Sequence, residues 1–271
     1  MKDVNIHIEH DQPRTQGELD LRVGGTGQLR HLFQQGASKA LFARKQLGTE
    51  AIFINTSGGV TGGDELKGYF ETSETAGLSL TTQGCERIYK SHTCVNGTVK
   101  NRLVVRDQSS LFWLPQETLF YDGGHLERRL LVDASSEATA LIVEPMLFGR
   151  LAMDEHKLSG NLQDFISLSI DGQLAFQDVT HFSGNITETL DRPAVLAGAR
   201  ATALVVFSSC FASAVLPKIR DMLNETSGAS VTQDHLLIAR LIAPEGMTLR
   251  RMLIPIITLL TQTDLPKTWR L

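Results

Sequence analysis

The sequence predicts a mainly β protein with helices confined to its last quarter. Apolar and polar residues alternate at residues 78–81 and 166–170, which is the pattern of strands that bury one face. Short runs of β-branched and other apolar residues predict further strands at 52–54, 103–105, 141–143 and 204–207. Strand density of this kind suits a sandwich or a barrel equally well.

One hairpin is predicted from its turn. Asp171-Gly172 separates Ile170 from Gln173-Leu174. Asp and Gly tolerate the positive φ angles that a two-residue hairpin turn requires. We therefore expect antiparallel strands on either side of this turn.

A first helix is predicted over residues 213–223. Pro217 lies near the start of this segment, where a proline is best tolerated. Charged residues occupy the opposite face from the apolar residues, which recur at i, i+3, i+4 and i+7: Val215, Leu216, Ile219, Met222 and Leu223.

A second helix is predicted from about residues 244–246 to Leu260, with one broad apolar face. Pro255 lies in its interior. An interior proline removes a backbone donor and crowds the preceding turn. The sequence therefore predicts that this helix is bent or split.

Length and composition favour one domain. The chain has 271 residues, 42% of them hydrophobic and 21% charged, so a sizeable core can be buried. No repeat of fixed period is visible. We expect a single domain over residues 1–271, with the polar residues 1–16 as a loosely held lead-in.

Charge and cysteine content exclude several classes of partner. Lys and Arg number 26 against 30 Asp and Glu, and no basic run offers the footprint that nucleic acid requires. The start has no secretion-signal pattern, and the apolar stretches are shorter than a membrane span. The three cysteines Cys85, Cys94 and Cys210 lack a metal-finger spacing and fit free thiols in a reducing compartment. We therefore expect a cytoplasmic protein that binds neither nucleic acid nor membrane.

A glycine-rich stretch lies between Asn55 and Glu65. Four glycines in six positions indicate backbone that other residues adopt only at a cost, or a surface that packs very closely. A phosphate loop would need a following Gly-Lys-Ser/Thr, whereas Asp64 and Glu65 follow here and would repel phosphate. The stretch therefore predicts a tight connection between two strands.

Five landmarks follow one another from Ser57 to Trp269. They are Ser57-Gly58-Gly59-Val60-Thr61-Gly62-Gly63-Asp64; Thr81-Thr82-Gln83; Trp113-Leu114-Pro115-Gln116-Glu117-Thr118 with Asp122-Gly123; Leu147-Phe148-Gly149-Arg150; and Pro266-Lys267-Thr268-Trp269. In this order they resemble the urease accessory protein family UreD, called UreH in some organisms, although Thr61 departs from an apolar family position. The motif residues that the resemblance marks are Ser57, Gly58, Gly59, Gly62, Gly63, Asp64, Thr82, Gln83, Trp113, Pro115, Gln116, Gly149, Arg150 and Trp269.

The resemblance implies a stacked, helix-like β fold with a pair of helices and a non-catalytic role in urease maturation. It implies that the chain binds apo-urease and the accessory protein UreF, and through UreF the GTPase UreG. Nickel would then cross an internal tunnel to the urease active site, as a transient passenger and not as a tightly bound cofactor. GTP hydrolysis would belong to UreG, since this chain has no phosphate-binding lysine motif.

Four carboxylates are candidate transit sites for nickel. Glu144 ends an apolar run and Asp178 interrupts another, so each either points outward, meets an arginine such as Arg150, or lines a water-filled passage. The resemblance adds Asp64 and also Glu155, which follows the Gly-Arg motif. Transit requires weak binding, because a closed four-ligand site would trap the ion.

Two rival functions are open. An independent nickel-binding or storage protein would need a preformed site, for which His92, Cys94 and the nearby Cys85 are candidate ligands. A small β-fold hydrolase would use Ser57 as nucleophile, although no Gly-x-Ser-x-Gly elbow occurs.

The two tryptophans allow different interpretations. Trp113 lies among Phe and Leu, which favours a place in the core over a role as an anchor for a partner. Trp269 lies at the end of the chain, where we expect an accessible side chain.

Overall fold

The structure is a computed structural model that describes residues 13–43, 48–233 and 235–269. Strands dominate these ranges, as the alternation predicts. The predicted lead-in lies outside the described residues as far as residue 12, and its last residue, Gln16, already begins the first strand. None of the helices in the described ranges combines the length and apolar character of a membrane span.

Seventeen strands are assigned within the described ranges. In chain order they are β1 (Gln16–Gly24), β2 (Gln28–Gly36), β3 (Ser38–Ala43), β4 (Thr49–Asn55), β5 (Glu65–Thr72), β6 (Gly77–Thr82), β7 (Glu86–Ile88), β8 (Gly97–Val105), β9 (Ser110–Leu114), β10 (Thr118–Phe120), β11 (Gly124–Ala134), β12 (Thr139–Phe148), β13 (Ser159–Ile170), β14 (Gln173–Asn185), β15 (Ala201–Ser208), β16 (Gly228–Thr232) and β17 (Leu236–Ala243).

The strands form two sheets, A and B. Sheet A has the order β14-β13-β11-β8-β5-β1-β2, in which β1, β5, β8, β11 and β13 are parallel and the two edge strands are antiparallel. Sheet B follows the order β16-β17-β15-β12-β9-β6-β4-β3, with β4, β6, β9 and β12 parallel. The short strand β10 pairs with β12 and with β7.

The chain winds between the two sheets. From β4 onward the longer strands alternate between B and A until β13, and each pairs in parallel with a strand one turn before or after it. This path is a stacked, solenoid-like arrangement of about four turns. The stacked β fold that the resemblance implies is confirmed.

The predicted hairpin is also confirmed. Ile170 pairs with Gln173 across the turn between β13 and β14. Asp171 and Gly172 have φ angles of 49° and 77°, which is the backbone that the Asp-Gly pair predicts.

The main core lies between the two sheets. Phe70 of sheet A packs on Trp113 of sheet B, with ring centroids 5.5 Å apart. Each large apolar side chain buried there contributes roughly 1.5–3 kcal/mol to the stability of the fold. Trp113 is therefore a core residue, as the sequence favours, in a cluster that includes Leu21, Leu80, Leu103, Leu130 and Ile142.

Three α-helices are present in the described residues: α1 (Ile186–Leu190), α2 (Ala212–Arg220) and α3 (Gly246–Thr261). The sequence analysis did not predict the short α1. Helix α2 lies where the periodicity places it, but it ends at Arg220, before Leu223, and Pro217 is in its interior and not near its start. Two further single turns of 3-10 helix cover Leu151–Met153 and Lys267–Trp269.

Helix α3 runs without a break through Pro255, so of the two predicted alternatives, bent or split, the split helix is excluded. An interior proline destabilises a helix by about 3 kcal/mol. That cost is outweighed because five apolar side chains of α3 are buried against the outer face of sheet B, each contributing roughly 1.5–3 kcal/mol. They are Leu249, Leu253, Ile256, Ile257 and Leu260. Glu245 caps the helix by accepting from the backbone N–H groups of Met247 and Thr248 at 2.9 and 2.8 Å.

A third ladder, the corner ladder, forms where the chain passes from sheet B to sheet A. Val60, Ile88, Phe120 and Phe148 stack there on successive turns and belong to one buried cluster. The residue that follows each of the last three donates its N–H to the carbonyl of the corner residue one turn earlier. The N–O distances are 2.8 Å (Tyr89 to Val60), 3.2 Å (Tyr121 to Ile88) and 2.8 Å (Gly149 to Phe120). The ladder thus brings parts of three landmarks, around Val60, Phe120 and Phe148, to one corner of the molecule.

Candidate functional site

The glycine-rich stretch is the connection between β4 and β5, as predicted. Asp64 is buried and closes this loop: its carboxylate accepts from the N–H of Thr61 at 2.9 Å and of Thr15 at 2.8 Å. The hydroxyl of Ser57 lies 2.5 Å from Asn55 Oδ1 and 2.9 Å from the carbonyl of Gly59. Both side chains therefore stabilise the loop from within.

The glycines serve the loop in two ways. Gly58 and Gly63 have φ angles of 79° and 87°, in the left-handed region that favours glycine. Gly59 and Gly62 lie against the next turn, where a Cβ would collide with Tyr89 and Ser91 respectively. Thr61 departs from the family pattern. Its hydroxyl donates to the carbonyl of Lys90 at 3.0 Å, so this polar group has a hydrogen-bond partner on the next turn of the solenoid.

The Thr-Thr-Gln landmark contacts the Trp-Leu-Pro-Gln-Glu landmark. The hydroxyl of Thr82 accepts from the N–H of Gln116 at 2.8 Å. Arg250 of α3 donates to the side chain of Gln116 and, at 2.5 Å, to Glu117. Helix α3 is therefore fixed to the solenoid by polar contacts at these landmarks as well as by its apolar face.

Trp269 is buried, so the prediction that it is accessible is wrong. Its indole N–H donates to the carbonyl of Leu114 at 2.9 Å, and the Arg250 guanidinium lies 5.2 Å from its ring centroid. A partner within the fold satisfies its polar atom, which is what allows complete burial near the chain end.

A cavity of about 330 Å³, the mouth cavity, lies beside the glycine-rich loop. Asn55 and Gly58 line it on one side, and residues 82–87 line it on the other. Glu86 lies at its inner side, where burial raises the pKa of this carboxyl to about 7 although Asn55 Nδ2 donates to it at 3.1 Å. The Glu86 carboxyl thus keeps its proton to a higher pH than an exposed glutamate does.

A smaller cavity of about 50 Å³, the inner cavity, lies between the sheets. It shares Phe53, Thr82 and Glu86 with the mouth cavity. The landmark residues Pro115 and Gln116 also line it.

A third cavity of about 320 Å³, the wide cavity, lies next to the inner one. The two share Arg128 and Glu144. Asp164, Asp178 and Arg240 also line the wide cavity, which therefore carries three carboxylates and two arginines.

Arg128 is the centre of a buried charge network. Its Nη1 donates to Glu144 Oε2 at 2.6 Å, while Nε and Nη2 donate to the two carboxylate oxygens of Asp164 at 2.9 and 2.5 Å. Glu144 Oε1 accepts from the indole N–H of Trp113 at 2.7 Å. Burial raises the pKa of Glu144, and the guanidinium opposes that rise. Burial lowers the pKa of Arg128, but the two carboxylates raise it by more, so the arginine stays charged.

The structure places only two of the four candidate carboxylates in one cavity. Glu144 and Asp178 both line the wide cavity. Glu144 meets an arginine, which is one of the alternatives that the sequence left open, but this arginine is Arg128 and not Arg150: β12 directs Glu144 between the sheets, while Arg150 follows at the corner. Asp178 pairs with Arg240 at 2.6 and 3.2 Å.

Asp64 and Glu155 line none of these three cavities. Glu155 instead pairs with Arg150, with Nη2–Oε1 at 2.7 Å, and accepts the Arg150 N–H at 3.0 Å. Those bonds lower its pKa. Arg150 also lies over the ring of Tyr121, 4.4 Å from the centroid, so the Gly-Arg landmark forms a surface cluster beside the corner ladder.

The His-Cys candidates do not form a group. Among the residues that the structure describes, no three His, Cys, Asp or Glu side chains are placed to share a metal ion. Cys85 lines the mouth cavity, but burial raises the pKa of its thiol to about 11, and Glu117 Oε2 lies 3.4 Å from its sulfur. Metal binding requires the thiolate, which is disfavoured there.

Sequence reasoning missed Glu86, Arg128, Asp164 and Arg240. A signal was present for two of them. Arg128 and Asp164 fall at inward positions of alternating strands, between Leu126 and Leu130 in β11 and between Leu162 and Ile166 in β13. Opposite charges at inward positions of two strands predict a buried ion pair.

Comparison with known proteins agrees with these features. The sequence model of the UreD urease accessory protein family matches residues 15–270. The urease accessory protein UreD of Ruegeria pomeroyi is 41% identical over 254 residues, which cover 93% of this chain and 99% of that protein. UreD of Roseobacter denitrificans is 40% identical over 268 residues (96% and 97%), and UreD of Agrobacterium fabrum is 35% identical over 276 residues (100% and 95%).

The stacked fold and these matches together define a urease accessory protein, with a role in urease maturation. Within that class, the chain belongs to the UreD family.

Proposed function

We propose that this chain is a non-catalytic scaffold that binds apo-urease and the UreF–UreG assembly in the cytoplasm and passes nickel through its interior to the urease active site. The observation that carries the proposal is the series of three cavities in which each neighbouring pair shares lining residues. Nickel enters this account as cargo.

The carboxylates of the wide cavity suit transit. Glu144 and Asp178 are each already paired with an arginine, at 2.6 Å in both cases. A nickel ion must compete with that guanidinium for the oxygen atoms, and this competition weakens binding at each step. Weak successive sites let an ion leave as well as enter, whereas storage needs a closed ligand set.

The inner cavity is suited to hydration. Its volume of about 50 Å³ exceeds what one water molecule needs. Gln116 lines it, and among the described residues the buried Nε2 of Gln116 has no hydrogen-bond partner. A buried amide donor of this kind favours water nearby, and a hydrated passage lowers the cost of moving a divalent ion.

The test is nickel-dependent activation of apo-urease by the accessory complex carrying Glu144→Gln, Asp178→Asn or both. We expect activation to fall by about ten-fold or more in the double variant, with the complex still assembled. Asp133→Asn is the matched control, because Asp133 forms an exposed ion pair with Arg102 on the outer side of sheet A. Full activation by the double variant would contradict the proposal.

The partners are tested separately. A tagged chain expressed in nickel-starved cells should retain apo-urease, UreF and UreG, and activation should fail when the chain is omitted. If the folded chain retains none of these partners and binds nickel stoichiometrically in equilibrium dialysis, the storage function replaces this proposal. Hydrolytic activity that Ser57→Ala abolishes would instead favour the hydrolase.

A further inference from the structure

We infer that Arg128 closes the passage where the inner and wide cavities meet. The passage opens when Arg128 releases Glu144 while remaining bound to Asp164. The inference rests on the proposed function, because it assigns a gate to the passage through which nickel is proposed to move.

The position of the Arg128–Glu144 ion pair supports a gate. These are the two residues that line both the inner and the wide cavity. Arg128 comes from sheet A and Glu144 from sheet B, so their 2.6 Å contact joins the sheets where the two cavities meet. An ion that moves from one cavity to the other therefore meets this pair.

The contacts of Arg128 are unequal. Two of its nitrogens bind Asp164, which is its register partner on the neighbouring strand of the same sheet. One nitrogen, Nη1, binds Glu144 and also lies 3.1 Å from the hydroxyl of Thr118. Bidentate pairs hold an arginine more firmly than a single bond. The contact to Glu144 is thus the one that breaks when the Arg128–Asp164 pair shifts.

Charge makes the gate selective. Coulomb attraction is proportional to the charge of the cation. A monovalent ion that replaces the guanidinium at Glu144 exchanges one positive charge for another, whereas a divalent ion gains attraction. Trp113 continues to donate to Oε1, so Oε2 is the atom that is released to the ion. Coulomb attraction alone therefore favours exchange of the guanidinium for a divalent cation over exchange for a monovalent one.

The test is the nickel affinity of Arg128→Met, measured by equilibrium dialysis on the full-length chain purified with the accessory proteins that accompany it. Without the competing guanidinium, we expect the dissociation constant to fall by about ten-fold. The gain should disappear when Glu144→Gln is added. Arg129→Met is the control, because Arg129 is the next residue of β11 but is exposed and pairs with Glu127 at 3.0 Å.

An unchanged affinity of Arg128→Met, or a gain that survives Glu144→Gln, would overturn the inference. If circular dichroism shows that Arg128→Met does not fold, Arg128→Lys takes its place: lysine keeps the charge but cannot bridge both carboxylates, so a smaller gain is expected and no gain would overturn the inference.

Activation assays separate the gate from the passage. Normal activation by the Glu144→Gln and Asp178→Asn double variant would contradict the passage itself. Reduced activation by that double variant, with no affinity gain in Arg128→Met or Arg128→Lys, would contradict the gate alone.

Discussion

Arg128 and Asp164 are register partners on the parallel strands β11 and β13, and their side chains form a two-bond ion pair with N–O distances of 2.9 and 2.5 Å. Both residues are buried in the space between the two sheets. With Glu144 as second acceptor, one positive charge faces two carboxylates. The stability of the solenoid therefore depends on keeping these three buried side chains charged and paired.

Asp164→Asn should destabilise the protein strongly. The substitution removes the charge that holds two of the Arg128 nitrogens, and breaking a buried ion pair costs about 3–5 kcal/mol. The free energy of unfolding, measured by denaturant titration, should fall by that amount. Asp133→Asn breaks an exposed pair and should cost less than about 1 kcal/mol. Equal losses in the two variants would show that burial does not govern the Arg128–Asp164 pair.

Gly62→Ala should destabilise the glycine-rich loop. A Cβ at this position meets the Ser91 hydroxyl and the Val95 carbonyl, so the loop or the next turn must move. Overpacking of this kind costs about 1–3 kcal/mol, to be measured as a lower melting temperature. Gly84→Ala is the matched control, since nothing lies within 4 Å of its Cβ and its φ is not positive. A Gly62→Ala protein as stable as the control would refute close packing here.

Glu86→Gln should change the pH dependence of stability. The folded-state pKa of Glu86 is raised to about 7 from 4.5, so its contribution to stability is complete below the unfolded value and is lost as pH rises through 7. The wild type therefore loses up to about 3 kcal/mol between pH 4.5 and 8 that the variant does not lose. The stability of the variant relative to wild type should rise over this range in denaturant titrations.

Glu155→Gln should change stability with the opposite dependence on pH. Bonds from Arg150 lower the pKa of Glu155, so its contribution is present above the unfolded pKa and is lost as pH falls through the folded one. The variant should be less stable than wild type at neutral pH, and the difference should vanish in acid. The same trend for both variants would mean that the assay reports global charge and not these two environments.

Local patterns predicted the strands well because alternation and turn chemistry depend on neighbours in the chain. The Asp171-Gly172 turn is an example, since its two residues determine the backbone. The solenoid repeat could not be seen in the sequence because its turns differ in length. The corner residues Val60, Ile88 and Phe120 are roughly 30 residues apart, which is a usual repeat period, but their spacing is unequal. Only the landmarks, through family resemblance, indicated the stacking.

The charge network was harder to predict because partners in a solenoid come from different turns. Glu144 alone could be recognised as a carboxylate in an apolar run, yet its partner Arg128 lies on the other sheet. The continuity of α3 through Pro255 and the burial of Trp269 were hard to predict for a related reason. Tertiary burial against sheet B outweighs a local helix breaker, and a contact with the distant Leu114 buries a residue at the chain end.

The central claim is that nickel crosses the interior, and obstruction of the wide cavity tests it most directly. Thr180 on β14 lines that cavity, whereas its neighbour Val179 points outward and is 60% exposed. Thr180→Trp should slow nickel-dependent urease activation by about ten-fold or more while the accessory complex still assembles, and Val179→Trp should leave activation unchanged. Normal activation by a folded Thr180→Trp protein would contradict passage through this cavity.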